Sequence, residues 1–336
     1  HEGRLDRDLL ARAGDSCAKP VIFAGGGRNW FALPTTEGKL QGISTKPPAY
    51  FPPRQMKLFR RSAARSGLVF FILMTFALAL AAVAAPPTKP KKSAVSVGGD
   101  AMIITDGSGK VLFAQNADLR REVASTQKLV TAMVITRAGN LDKKVTITAQ
   151  DAACSPTKLP NSVGGTYTRR ELLQALLVLS ANDAARALAR DNAGSEAAFG
   201  AKMTQMARSV GAGNSVFKTS SGLSAAGQYS TARDMAAIAR AAYRDPLIRS
   251  AARTKFLPWR DAKGGSHTLR NSNRVLHRHA NATGMKIGYT GAAGHCLVLS
   301  WEEAGKTVFA VVLGGKNELF WVEAALVTSL YANGLL

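Results

Sequence analysis

Apolar and polar positions change period several times along the chain. Residues 101–105 and 111–115 are short strand-like runs joined by Asp106-Gly-Ser-Gly109, the signal of a β-hairpin. The run Lys128-Leu-Val-Thr-Ala-Met-Val-Ile135 has apolar residues at helical spacing and predicts a helix starting near Ser125. Residues 140–167 read as short strands, such as 144–148, and loops broken by Pro156, Pro160 and Gly164-Gly165. Thr168-Arg-Arg-Glu171 is a capping box that opens a helix over 171–179. That helix is apolar nearly all round, so it should be buried. Further helices are expected from Asp183, which reads as an N-cap, after Ser195, and from Thr231 to about Tyr243. A loop is expected over 217–223, and helical text ends near Thr254. The pattern then turns to strands over 254–259, 267–271, 285–290, 296–301 and 307–313, and a helix over 319–330 closes the chain. The last three strands have hairpin-length links and are therefore antiparallel. This order predicts an α+β fold, an antiparallel sheet flanked by helices with an all-helical insert, and not a doubly wound parallel sheet.

The first 98 residues follow other rules. Residues 1–55 hold Gly25-Gly26-Gly27, Pro47-Pro48 and Pro52-Pro53 without sustained periodicity, and are expected to be a disordered upstream extension. From Met56 a basic stretch to Arg65 leads into residues 68–85, apolar apart from Thr75 and ending in the small residues Ala82-Val83-Ala84. This is the pattern of a signal peptide over 56–85, and export to the periplasm follows from it. The rival reading is an uncleaved anchor, because a run of about eighteen apolar residues lies at the lower edge of a spanning helix. Residues 86–98 form a Pro/Lys linker, and 99–336 the folded domain.

Composition narrows the partners. The net charge is +22, spread over the N-terminal segment and the rest of the chain. The charges are scattered, aromatic residues make up 7%, and no zinc-finger or helix-turn-helix pattern occurs, so nucleic acid is not the expected partner. An anionic envelope polymer or membrane surface suits such a diffuse positive field. The three cysteines, Cys17, Cys154 and Cys296, show no metal-ligand spacing, so neither a metal nor another cofactor is expected. A Cys154–Cys296 disulfide stays open, since sequence does not say whether the two are close.

Three stretches carry candidate chemistry. In Ser125-x-x-Lys128 the two side chains share a helical face. A serine hydroxyl is a poor nucleophile until a base takes its proton, and a lysine serves if burial or a neighbouring cation lowers its pKa. The helix start adds unpaired N–H groups that favour negative charge. Ser180-Ala181-Asn182 follows a helix end, and Lys286-Ile287-Gly288 lies on a strand. Each stretch alone is ordinary: a solvated helix face, a loop, an exposed strand lysine. Together, in this order, they match the Ser-x-x-Lys, Ser-x-Asn and Lys-Thr-Gly set of penicillin-binding proteins and β-lactamases.

The chain resembles the D-alanyl-D-alanine peptidases, the low-molecular-mass penicillin-binding proteins. The likeness extends to Ser221-Gly-Leu223, to Ser230-Thr-Ala-Arg-Asp-Met-Ala236 and to Gly284-Met-Lys-Ile-Gly-Tyr-Thr290. The resemblance implies a β-lactamase/DD-peptidase-like fold and a reaction on peptidoglycan stem peptides through an acyl-enzyme, with β-lactam antibiotics as inhibitors. It assigns Ser125 as nucleophile, Lys128 as base, Ser180 as proton relay, Asn182 as an amide for Lys128 and substrate, and Lys286 as a fixed cation for the substrate carboxylate. Gly288 then lets the substrate approach, the N–H groups of Ser125 and Tyr289 form the oxyanion hole, and Thr290 completes the substrate-binding strand. Ile287 stands where the family has Thr, whose hydroxyl bonds the substrate carboxylate. A preference for cross-linked substrates follows from that loss. Arg270 and Arg274 are further candidates for the carboxylate. A Ser-His pair with His277, His279 or His295 is not expected, because Lys128 already serves Ser125. Two rival functions are a class A β-lactamase, which needs a deacylating Glu where the chain has residues 213–220 without a carboxylate, and an inactive wall-binding or penicillin-sensing protein.

Overall fold

A computed structural model describes residues 98–317 and 320–336, and of Val322 the backbone. The expectations for 1–55, 56–85 and all but the last residue of the linker lie outside the described residues. The chain opens with β1 (Ala101–Asp106) and β2 (Val111–Gln115). A 3-10 turn over Ala124–Gln127 runs into α1 (Lys128–Ala138). Then come β3 (Lys144–Thr146), the short α2 (Ala149–Ala152), β4 (Thr166–Thr168) and α3 (Arg169–Val178). The helical insert continues with α4 (Asn182–Ala193), α5 (Glu196–Ser209), α6 (Ala232–Arg244) and α7 (Pro246–Arg253). After β5 (Phe256–Arg260), β6 (Ser266–Arg270) and α8 (Arg274–Arg278), the last stretch is β7 (Ala282–Thr290), β8 (Gly294–Glu303), β9 (Lys306–Gly315) and α9 (Phe320–Ala332).

The main sheet has the order β2-β1-β9-β8-β7 and is antiparallel throughout. Its centre is β9, whose two sets of alternating side chains enter two different cores. Phe309, Val311 and Leu313 join the cluster that also holds α1, α3, α4 and α6, while Val308, Ala310 and Val312 pack with α9. A strand covered on both faces must be apolar at every position, which is why residues 307–313 show no alternation. β7, by contrast, is an edge strand, so one side of its backbone has no strand neighbour.

Local signals explain most helix starts. Thr168 accepts from the Glu171 N–H at 3.1 Å while the Glu171 carboxylate accepts from the Thr168 N–H at 2.7 Å, the reciprocal pair that the capping box predicts. Ser195 and Thr231 cap α5 and α6 with their side-chain oxygens, which accept from the N–H groups of Ala198 and Asp234. Asp183 departs from expectation. The N-cap of α4 is Ala181, and Asp183 lies buried in the first turn, where its carboxylate accepts from the Leu159 N–H at 3.1 and 3.2 Å. It holds the loop over 155–162 as well as the Ala184 N–H of the first turn, from which it accepts at 2.9 Å. β4, α2 and α8 were not legible in the sequence because elements of three to five residues are too short for a period to emerge. Cys154 and Cys296 are both free thiols. No helix among the described residues is long and apolar enough to cross a membrane.

Candidate active site

The 3-10 turn presents Ser125 at the start of α1, and its hydroxyl lies 2.8 Å from the Lys128 Nζ. Lys128 is wholly buried. Burial, and secondly the charge of Lys286, holds its pKa well below the ordinary lysine value, which favours the neutral amine. A neutral amine has two N–H bonds and one lone pair. Two of its three neighbours are pure acceptors, the Asn182 Oδ1 at 2.7 Å and the Ser221 carbonyl at 2.6 Å. They use both N–H bonds, so the lone pair is left for the Ser125 hydroxyl. The same Ser221 carbonyl lies 3.3 Å from the Ser125 Oγ. Gly222 permits this approach, because at its φ of 85° a Cβ would meet the Ala124 carbonyl oxygen at 2.1 Å.

The other predicted residues converge here. Ser180, at a φ of 71°, follows the Leu179 C-cap of α3, and Asn182, two residues on, is the buried first residue of α4. The Asn182 amide donates to the carbonyls of Ser155 and Pro156 at 3.0 and 3.1 Å, which fixes its oxygen toward Lys128. Lys286 comes from β7, buried at 1% exposure, and its ammonium meets the Ile287 carbonyl at 3.1 Å and the Ser272 hydroxyl at 3.4 Å. Burial pushes its pKa down to about 7, so it is fixed in place but its charge is titratable. Gly288 abuts the nucleophile turn: a Cβ there would lie 2.5 Å from the Ser125 N and 3.1 Å from the Thr126 N. The glycine is thus required by packing against the protein itself, not only by an incoming substrate. Thr290 accepts from the Ala293 N–H at 3.0 Å.

Ser125, Ser180, Asn182, Gly288 and Thr290 open onto one cleft of about 500 Å³, while Lys128 and Lys286 lie buried behind its lining. Ser125, Thr157, Ser180, Asn182 and Ser272 form its polar side, and Ile287, Tyr289, His295 and Trp321 its apolar side. Arg274 lies at this cleft, whereas Arg270 is exposed on β6 and does not line it. Of the three histidines singled out, His295 lines the cleft, stacked on Tyr289 at 4.5 Å. His277 is bonded to the Asn271 carbonyl, and His279 stacks on Trp301. A further cavity of about 460 Å³, beside Tyr167 and Trp259, contains neither serine nor lysine. The Ser221 carbonyl was invisible to residue-type reasoning because a backbone acceptor has no sequence letter of its own.

A model of the D-alanyl-D-alanine carboxypeptidase family matches residues 87–317. The chain belongs to that family. It is a serine-type D-alanyl-D-alanine peptidase, with the α+β fold of the DD-peptidases. It is 35% identical to a D-alanyl-D-alanine carboxypeptidase of Streptomyces sp. strain K15, over 68% of this chain and 84% of that one. It is 32% identical to a D-alanyl-D-alanine endopeptidase of Escherichia coli K12, over 78% of this chain and 91% of that one. A solved structure of a mutant of the Streptomyces K15 DD-transpeptidase matches with a TM-score of 0.67 at 28% identity, covering 71% of this chain and 99% of that one. The proteins that this chain resembles are thus named for three activities, carboxypeptidase, endopeptidase and transpeptidase.

Proposed function

We propose that Ser125 attacks the carbonyl between two D-alanines of a peptidoglycan stem peptide and carries the acyl group. Lys128 takes the hydroxyl proton as the oxygen–carbon bond forms. The carbonyl electrons move onto oxygen, where the N–H groups of Ser125 and Tyr289 receive them. Such donors contribute about 3–4 kcal/mol each to the transition state. The proton passes from Lys128 through Ser180 to the leaving amine, and the C–N bond breaks. Water then attacks the ester, and Lys128 again takes the proton and returns it to the Ser125 oxygen as the C–O bond of the ester breaks. Asn182 holds Lys128 and the substrate backbone, Lys286 attracts the terminal carboxylate, and the substrate strand lies along the open edge of β7 through Gly288, Tyr289 and Thr290. Penicillin is taken as an acylating inhibitor by the same serine.

The observation that carries this reading is the set of three contacts at Lys128, two acceptors and one hydroxyl, in a buried site. A β-lactamase reading lacks support, since among the described residues lining the cleft none is a carboxylate that could activate water. Residues 99–336 form the catalytic domain in this reading, and the segment over 56–85 directs it out of the cytoplasm. The test is labelling with a fluorescent penicillin, together with turnover of a pentapeptide ending in D-Ala-D-Ala. Wild type should be labelled and should release D-alanine. Ser125→Ala should do neither while its circular dichroism is unchanged. Labelling of the mutant would overturn the assignment, and labelling of wild type without turnover would favour a penicillin sensor.

A further inference from the structure

The Ser221 carbonyl orients the base, yet it belongs to a loop over 217–223 that lies outside every helix and strand. A loop carbonyl at 2.6 Å from a buried amine stays there only if the loop is tied down. Side chains from several directions tie it. Gln127 donates to the Thr219 carbonyl at 2.5 Å. Gln228 accepts from the N–H groups of Lys218 and Thr219, at 3.1 Å each, and donates to the Leu223 carbonyl. Thr131 on α1 donates to the Ser220 carbonyl at 2.7 Å. The remaining tie is ionic. Glu196, the first residue of α5, accepts from the Ser220 N–H at 2.7 Å with one oxygen and from the Ser220 hydroxyl at 2.6 Å with the other. Ser220 and Ser221 are buried. A carboxylate that accepts two short bonds is the strongest kind of tie in this set, because hydrogen bonds to ionised groups are roughly twice as strong as neutral ones.

We propose that Glu196 is a positioning residue for the reaction: by clamping both donors of Ser220 it aims the Ser221 carbonyl at Lys128, and so keeps the lone pair of the amine on Ser125. This rests on the roles proposed above for Ser125 and Lys128. Glu196 does not line the cleft and acts only through the loop. Its charge makes a second, separable contribution. Asp183 on α4, Cys154 and Glu196 favour the charged form of Lys128, whereas burial and Lys286 on β7 oppose it. Removing the Glu196 charge therefore lets Lys128 stay neutral to lower pH. Removing the clamp frees the carbonyl, and the amine can turn its lone pair away.

Two variants separate these effects. Glu196→Ala loses clamp and charge. Glu196→Gln keeps an acceptor for one Ser220 donor and loses only the charge and one bond. The measurement is the second-order rate of acylation by a fluorescent penicillin as a function of pH, with the thermal midpoint and a Ser125→Ala control. Glu196→Ala should lower the plateau rate by about tenfold, with Glu196→Gln between it and wild type. In both variants the acid limb should move to lower pH. A plateau within about twofold of wild type in folded Glu196→Ala would overturn the proposal. So would a rate loss with an unmoved acid limb, which is what a merely structural contact gives. Labelling of the Ser125→Ala control would instead break the underlying assignment of the nucleophile.

Discussion

The two faces of β7 follow different rules. Toward the Ser125 turn, Lys286 is buried at 1% exposure and Gly288 has no room for a methyl group. Toward α9, Ile287 is half-buried and Tyr289 is 63% exposed, stacked on His295, which in turn meets Phe320 at 5.9 Å. Successive residues of one strand thus share a cleft but not a constraint. On the Ser125 side, tolerances of a few tenths of an ångström decide which residue fits. On the α9 side the protein leaves space, and the chemistry of what enters decides. That is the side that carries Ile287, where the resemblance leads one to expect Thr.

The sharpest way to break the comparison is Gly288→Ala. Its methyl would meet the Ser125 N at 2.5 Å and push β7 off the nucleophile turn. Misplacing the N–H pair should cost at least about a hundredfold in acylation, the scale of one lost oxyanion donor. Stopped-flow acylation measures it. A loss under about tenfold would mean that the Ser125 side is softer than its contacts imply.

The next effect lies on the opposite face. A Thr hydroxyl would add a hydrogen bond to an ionised carboxylate, and Ile287 cannot donate one. Ile287→Thr should therefore raise kcat/KM for a free pentapeptide by about tenfold, the factor for ~1.4 kcal/mol, and change cutting of a cross-linked dimer less. The dimer has an amide where the pentapeptide has its charge. If the mutant gains nothing on pentapeptide, and wild type already trims it faster than it cuts dimers, Ile287 is a neutral replacement.

The smallest effect comes from Lys286. Its pKa is pushed down to about 7 by burial, so it carries a proton below that pH and loses it above. Attraction for a terminal carboxylate should weaken as pH rises through about 7. The ratio of kcat/KM for a free-acid peptide to that for its C-terminal amide should fall by about threefold between about pH 6 and about pH 8. Taking the ratio cancels the titration of Lys128. A ratio that stays flat would mean that bound substrate keeps Lys286 charged throughout, and that the carboxylate is held by other groups such as Arg274.

Much of this was legible before any coordinates. The capping boxes and the hairpin links are local, so Thr168 with Glu171 and the run from 285 to 313 declared themselves. Ser125 and Lys128 also share a local frame, one helical turn, and their pairing followed from spacing. Ser180, Asn182 and Lys286 were expected at the same place through the resemblance of their stretches to the family set, since each stretch alone was ordinary. Three things needed the tertiary structure. Asp183 looked like a helix cap, because sequence shows its distance from the helix start but not the loop over 155–162 that needs its carboxylate. Gly288 looked like a concession to substrate, because sequence does not show that the Ser125 backbone lies against it. The Ser221 carbonyl and its tie to Glu196 join residues 93 and 24 positions from their partners through a backbone atom that every residue possesses. The sequence determined which groups could react and which elements would carry them. The tertiary structure alone decided the burial that favours the neutral form of Lys128 and the aim of its lone pair, because desolvation and direction belong to the packed assembly and to no stretch of the chain.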